Sequence, residues 1–135
     1  MYFGFSLYLA AVRAFPVFYV RDVGAAVGFY AQLGFEEAFR FPAEGEAGYF
    51  SLRLGDSQIG IVDAAWPLDQ LGVEMGPAPR GELFVYVDDV DAVTEELRAS
   101  GCAVLKEPAD MPWGERIGYV ADPEGNPVAI ANRPA

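Results

Sequence analysis

An α+β fold assembled from two βαβββ modules is predicted by three observations. The segment 19–35, YVRDVGAAVGFYAQLGF, returns at 86–102 as YVDDVDAVTEELRASGC, an offset of 86 − 19 = 67 residues. Each copy is entered by a run of aromatic and β-branched residues, the composition of a strand. Each copy is followed by three shorter runs of the same kind, separated by the Gly, Asp and Pro that turns require.

The elements follow in order. Residues 1–12, MYFGFSLYLAAV, are apolar, lack a basic start, and are too short to span a bilayer. They are expected to form an arm at 1–13, packed on its own domain or on a second subunit. FPVFYV (15–20) is the first strand. Asp22 then stands where a helix N-cap accepts an orphan backbone N–H, and Val23, Val27, Tyr30 and Leu33 recur at helical spacing. Gly34 ends that helix, because the closing residue adopts positive φ. Strands are expected at 35–41, 47–55 and 57–63, the last two joined by a Gly55-Asp56 turn.

Residues 64–80, AAWPLDQLGVEMGPAPR, are rich in Pro and Gly and are expected to be a linker. The second module repeats the plan: a strand at 82–87, Asp89 as cap, Val90, Val93 and Leu97 on one helix face, and Gly101 as stop. Strands at 102–108, 116–122 and 126–132 follow, the last two joined by Asp122-Pro123-Glu124-Gly125-Asn126. The modules are thus expected at 14–63 and 81–133. Neither is large enough to bury a stable core alone, so the two should pack as one unit.

Composition excludes several function classes. The 135 residues carry 9 Lys plus Arg against 20 Asp plus Glu, a net charge of −11, which should repel nucleic acid and anionic membranes. There is no His, which removes His-ligated metals and Ser-His-Asp chemistry. The one cysteine, Cys102, excludes an intrachain disulfide framework and suits a small buried apolar role. A cytoplasmic location is expected of a chain that builds its core without disulfides. No G-x-x-x-x-G-K or G-x-G-x-x-G phosphate cradle occurs. Asp88, Asp89 and Asp91 suit a helix N-terminus better than a calcium site.

The duplication, the YVRD and YVDD strand-to-helix signatures, PWGERIGYV and DPEGNPVAI together resemble the vicinal oxygen chelate superfamily. That group includes glyoxalase I, extradiol dioxygenases and bleomycin resistance proteins. The resemblance covers Ala14 to Arg133 and is strongest to the bleomycin-resistance type. It implies curved mixed sheets and, in the group's enzymes, a divalent metal held by one side chain on each first strand and one on each last strand. Those positions fall on Phe15, Glu82, Gly60 and Ala129 here. Three of the four cannot ligate, so neither a metal nor another cofactor is expected, and catalysis is doubtful.

If the former ligand positions face a cavity, strand alternation turns Phe15, Val17 and Tyr19, and Glu82, Phe84 and Tyr86, toward it. The resemblance adds aromatics near Phe39 and the Trp of the PWG segment, Trp113. The candidate ligand-binding set is Phe39, Phe41, Tyr49, Glu82, Phe84, Tyr86, Trp113 and Tyr119. Each has a plainer reading: Phe84 and Tyr86 as core aromatics, Phe39 and Phe41 as ordinary strand residues, Glu82 as an exposed strand end. Trp66 is expected to cap the core, and Glu115 and Arg116 to form a solvated charge pair. Two functions remain open. One is sequestration of a planar, cationic aromatic compound such as an antibiotic, by a homodimer with two grooves. The other is a metal-free enzyme using Glu82 as general base, with an accessory role in a natural-product pathway as a further variant.

Overall fold

A computed structural model describes residues 15–72, 74–77 and 81–132; the arm expected at 1–13 lies outside them. The first half runs β1 (Val17–Val20), α1 (Val23–Gln32), β2 (Glu36–Phe41), β3 (Tyr49–Leu54) and β4 (Ser57–Asp63). A helix, α2 (Ala65–Leu71), follows. The second half runs β5 (Leu83–Tyr86), α3 (Val90–Ala99), β6 (Val104–Asp110), β7 (Arg116–Ala121) and β8 (Pro127–Asn132). Two four-stranded mixed sheets result, ordered β1-β4-β3-β2 and β5-β8-β7-β6. In each, the first strand pairs parallel with the last and the other pairs are antiparallel. This is the duplicated α+β fold that the repeat predicts.

The helix boundaries follow from the caps. Asp22 accepts from the Ala25 N–H at 2.9 Å, and Asp89 from the Ala92 N–H at 3.0 Å. Gly34 and Gly101 take φ of +99° and +101° just past the helix ends, a conformation a side chain would strain. Within the segment expected to link the halves, residues Ala65–Leu71 form α2. Pro67 reads as a helix breaker, yet it sits in the first turn, where its missing N–H has no intrahelical acceptor to lose. Asp63 accepts from the Ala65 N–H at 2.8 Å, and Gly72, at φ +68°, closes the helix. The sixth strand lies two residues later than expected, and its pairing with β7 shifts register between Val104 and Lys106 and again between Lys106 and Ala109.

The core joins the halves. Val20, Phe29, Tyr30, Leu52 and Ile61 from the first half cluster with Val85, Leu97, Val120, Val128 and Ile130 from the second. A buried hydrogen bond ties them as well: the Tyr30 hydroxyl donates to Asp122 at 3.0 Å. Burial, then the Asp122 charge, pushes the Tyr30 phenol far above its ordinary range, so it stays protonated and donating. Asp122 also accepts from the Glu124 and Asn126 N–H groups at 2.9 and 2.8 Å, which fixes the β7–β8 turn. Nearby, Arg21 and Glu124 pair at 3.2 Å.

Candidate functional site

Register decides which side chains share a face. Across the first sheet, Val17, Gly60, Ser51 and Phe39 form one row and Tyr19, Val62, Tyr49 and Phe41 the next. Across the second sheet the rows are Phe84, Ala129, Tyr119, Lys106 and Tyr86, Ala131, Ile117, Ala109. Alternate residues, including Leu52, Ile61, Val85, Val128 and Ile130, form the shared core. The rows therefore occupy the opposite faces, and those faces carry most of the aromatics named from the sequence.

On the first sheet the aromatics line a cavity of about 630 Å³ with Val17, Tyr19, Phe41, Tyr49, Val62 and Trp66 on its walls. Phe39 packs beside Tyr49, with ring centroids 6.3 Å apart. Trp66 does not cap the core. It is exposed on α2 and turns toward this cavity. On the second sheet Phe84 and Tyr86 lie 5.3 Å apart, and both are exposed, which excludes the reading of them as core aromatics. They line a cavity of about 940 Å³ together with Arg53, Ser57 and Gln58 from the β3–β4 hairpin. Tyr119 is half-buried against a small cluster of Ile117, Ala129 and Ala131 on the same face. Cys102, expected to be buried, is half-buried against the main core.

The β6–β7 turn adds what the sequence did not. Met111 N–H donates to the Glu115 carbonyl at 2.7 Å and Gly114 N–H to the Met111 carbonyl at 2.9 Å, a tight turn with Gly114 at φ +103°. Trp113 stands at its tip, 63% exposed. The Glu115 carboxylate receives the Trp113 indole N–H on one oxygen and the Tyr86 hydroxyl on the other, both at 2.8 Å. The expected Glu115–Arg116 pair is thus corrected. Arg116 turns to Asp91 at 2.8 Å and Asp110 at 3.1 Å, and its hydrogen bond holds the Asp91 carboxyl below its ordinary range. Neighbouring residues of an extended chain point to opposite sides, so Glu115 and Arg116 diverge. The sequence carried no periodic signal for the Trp113–Glu115 contact, which the turn around Gly114 makes.

Glu82 lies elsewhere. It is exposed just before β5 and lines a third cavity, of about 320 Å³, with Val17, Tyr19, Tyr30 and Asp122. Of the candidate set, Phe84, Tyr86 and Trp113 are brought together through Glu115, Phe39, Phe41 and Tyr49 form a separate group, and Glu82 joins neither.

The former metal positions do not fit a metal. A Cβ added at Gly60 would meet Val17 Cγ2 at 3.0 Å and the Tyr49 hydroxyl at 3.2 Å, so a ligating side chain there would have to push Val17 or Tyr49 aside. Ala129 is fully buried in the small cluster. Among the described residues no group of three or more His, Cys, Asp or Glu is placed to hold a metal ion. Among them, too, no helix is long and apolar enough to cross a membrane.

Comparison with known proteins places this geometry in a lineage. The sequence profile of the Glyoxalase/Bleomycin resistance protein/Dioxygenase superfamily matches residues 14–130. A putative glyoxylase of Mycobacterium bovis is 30% identical over 102 residues, 74% of this chain and 36% of that protein, so the chain spans about a third of its length. A probable lactoylglutathione lyase of Vibrio cholerae is 28% identical over 78% of this chain and 79% of its own. A hypothetical protein of S. aureus superposes with a TM-score of 0.78 at 17% identity, over 95% of this chain and all of that one.

Proposed function

This chain belongs to the Glyoxalase/Bleomycin resistance protein/Dioxygenase superfamily, and from that premise we propose that it binds a planar aromatic, cationic small molecule without transforming it. The observation that carries the reading is an exchange of residue types. At three of the four positions where the family's enzymes carry metal ligands, this chain has Phe15, Gly60 and Ala129, with Tyr49 lying over Gly60 and Glu82 alone at the fourth. The faces around these positions display aromatic rings to solvent instead. Large exposed rings on one sheet face are costly to leave in water and stack well on flat ligands. The net charge of −11 favours a cation. Sequestration of a toxic compound such as an antibiotic is a role that needs only binding.

Both faces lie outside the shared core, so each is available to a second copy. The protein is proposed to act as a cytoplasmic homodimer with two equivalent grooves. Sedimentation at tens of micromolar should then give about twice the 14.6 kDa chain mass, and a monomer would count against the groove arrangement.

The relatives named as a glyoxylase and a lyase favour a different reading, an enzyme that has kept the fold. One experiment separates the two. Planar aromatic compounds are titrated against the tryptophan fluorescence, and the recovered compound is weighed by mass spectrometry. Saturable quenching with an intact compound supports binding alone, whereas a turned-over product moves the protein into the enzyme class. Within the binding reading, Trp113→Ala should cost roughly 1–3 kcal/mol of affinity, as loss of a stacking aromatic does. Unaltered affinity would place the ligand elsewhere.

A further inference from the structure

We infer that Glu115 is the residue by which the second sheet's aromatic face selects its ligand: it receives a cationic N–H donor carried by the planar ring system. The inference rests on the preceding reading of that face as a site for planar aromatics, and it sets aside Glu82, the carboxylate in the candidate set named from the sequence.

The geometry is that of an acceptor held ready. An ionised carboxylate offers about four lone-pair positions on two oxygens. The Tyr86 hydroxyl takes one on one oxygen and the Trp113 indole N–H takes one on the other, each at 2.8 Å. Each oxygen therefore keeps room for a further donor. Both donors are neutral, so they orient the carboxylate without cancelling its charge; Arg53, from the β3–β4 hairpin, lines the same cavity as Tyr86. Arg116, the adjacent cation in sequence, is committed to Asp91 and Asp110 on its other side. Lys106 shares the face but stands one row away, in register with Tyr119 rather than with Ile117 and Tyr86.

The two rings that orient Glu115 also frame the place where a flat ligand would stack. Tyr86 lies 5.3 Å from Phe84 with the rings tilted by 50°, and Trp113 is mostly exposed at the turn tip. A ring system laid on Tyr86 or Trp113 brings an edge N–H toward the carboxylate those residues hold. Stacking is indifferent to charge except for the cation–π gain, whereas a hydrogen bond from a protonated nitrogen to a carboxylate is among the stronger ones available. Because the carboxylate is fixed before the ligand arrives, little ordering remains to be done on binding. On the first sheet, Asp63, beside the cavity, accepts from the Ala65 N–H and starts α2. The class of ligand follows: a planar heteroaromatic or aryl compound bearing a protonated nitrogen with at least one N–H at its edge.

The test uses two ring systems of nearly the same shape, 9-aminoacridine, a cation with N–H donors at neutral pH, and acridine, which is neutral there. Binding of each to the full chain is measured by calorimetry and tryptophan quenching, in the unaltered protein, in Glu115→Gln and in Glu82→Gln. Glu115→Gln should weaken 9-aminoacridine by roughly 10- to 100-fold while changing acridine by no more than about twofold. Glu82→Gln should change neither. Raising the salt should weaken the cation and leave the neutral ring alone, a readout that needs no variant. If Glu115→Gln weakens both acridines equally, Glu115 only holds the rings in place and the inference fails. If it leaves 9-aminoacridine unaffected, the inference fails while the binding reading stands. If the unaltered protein binds neither compound, the reading of the face itself fails.

Discussion

On β1 the face turned away from the core displays Val17 and Tyr19; on β5, 67 residues later, it displays Phe84 and Tyr86. The scaffolding around these pairs is nearly the same. Asp22 and Asp89 cap the following helices through the third N–H, and Gly34 and Gly101 end them at almost equal φ. The small residues Gly60 and Ala129 sit directly opposite Val17 and Phe84 on the last strands. The halves part company where nothing in the fold dictates the residue. In the first, Tyr49 fills the space over Gly60 and an aromatic helix residue, Trp66, closes the cavity. In the second, a tight turn raises Trp113 and Glu115 beside Tyr86. One duplicated frame thus carries two aromatic faces, and in the second the rings hold a carboxylate between them, a difference that lies in a turn and two side chains.

The strongest way to break this comparison is to show that the halves are not one cooperative unit. Ile61 and Ile130 are fully buried, one in each sheet, and belong to the same core cluster. Ile61→Ala and Ile130→Ala should each cost roughly 2–5 kcal/mol. In denaturant melts followed by both fluorescence and circular dichroism, each variant should shift a single shared transition. Two separable transitions would make the modules independent and would remove the reason for treating their faces together.

A second test targets the buried tie. At the repeat offset, 30 + 67 = 97, so Leu97 fills in α3 the slot that Tyr30 fills in α1, and both are buried. Tyr30→Phe deletes the hydroxyl that donates to Asp122 and should cost roughly 1.5–3 kcal/mol, the range for hydrogen bonds to charged groups. The sign of its pH dependence is fixed. The folded-state phenol titrates above its unfolded value of 10.0, so its stabilisation is complete below that pH and is lost as pH rises past it. Tyr30→Phe should therefore flatten the alkaline fall in stability, and a variant that falls as steeply as the original protein would show that Tyr30 is not the group responsible.

Close packing over the former ligand position gives a third. Gly60→Ala places a methyl within 3.0 Å of Val17 Cγ2 and 3.2 Å of the Tyr49 hydroxyl, and overpacking of this kind costs roughly 1–3 kcal/mol. Adding Val17→Ala removes the tightest contact and should recover part of the loss. Full tolerance of Gly60→Ala would mean that Tyr49 swings aside easily, and the case against a ligating side chain at Gly60 would weaken.

How far the chain could be read in advance depended on whether the signal was local. The caps at Asp22 and Asp89, the stops at Gly34 and Gly101 and the alternation of β4 and β8 are written within a few residues, and they predict all eight strands and both long helices to within about two residues. Helix α2 was hidden because Pro67 carries opposite meanings in a first turn and in a helix interior. The aromatic candidates were legible as a set, since alternation assigns Phe84 and Tyr86 one side. Their division into two groups was not legible, because it depends on which sheet each strand joins. Glu115 escaped for a related reason: its partners are Trp113, two residues away, and Tyr86, 29 residues away. An opposite charge next door in sequence, Arg116, suggested a pair that an extended backbone does not allow.

The smallest expected effect concerns a surface tie found in one half. Arg98, in the last turn of α3, reaches Glu107 on β6 at 2.6 Å and Glu95 at 3.0 Å. At the repeat offset, 98 − 67 = 31, the first module has Ala31 there, so α1 has no equivalent tie to β2 from that position. The Arg98 hydrogen bonds hold the Glu107 carboxyl below its ordinary value of 4.5. A carboxylate shifted downward contributes stability above its unfolded pKa and loses it as pH falls through the folded one. All three side chains are solvated, so the contribution is small and screened by salt. Melting midpoints of the original protein and of Arg98→Ala, compared from neutral pH down through the carboxylate range at low salt, should converge as Glu107 protonates. At about 1 M salt, where screening acts within a few ångströms, the two should differ little at any pH. A gap between them that persists unchanged in acid would mean that Arg98 acts through packing of its aliphatic stem rather than through its charge.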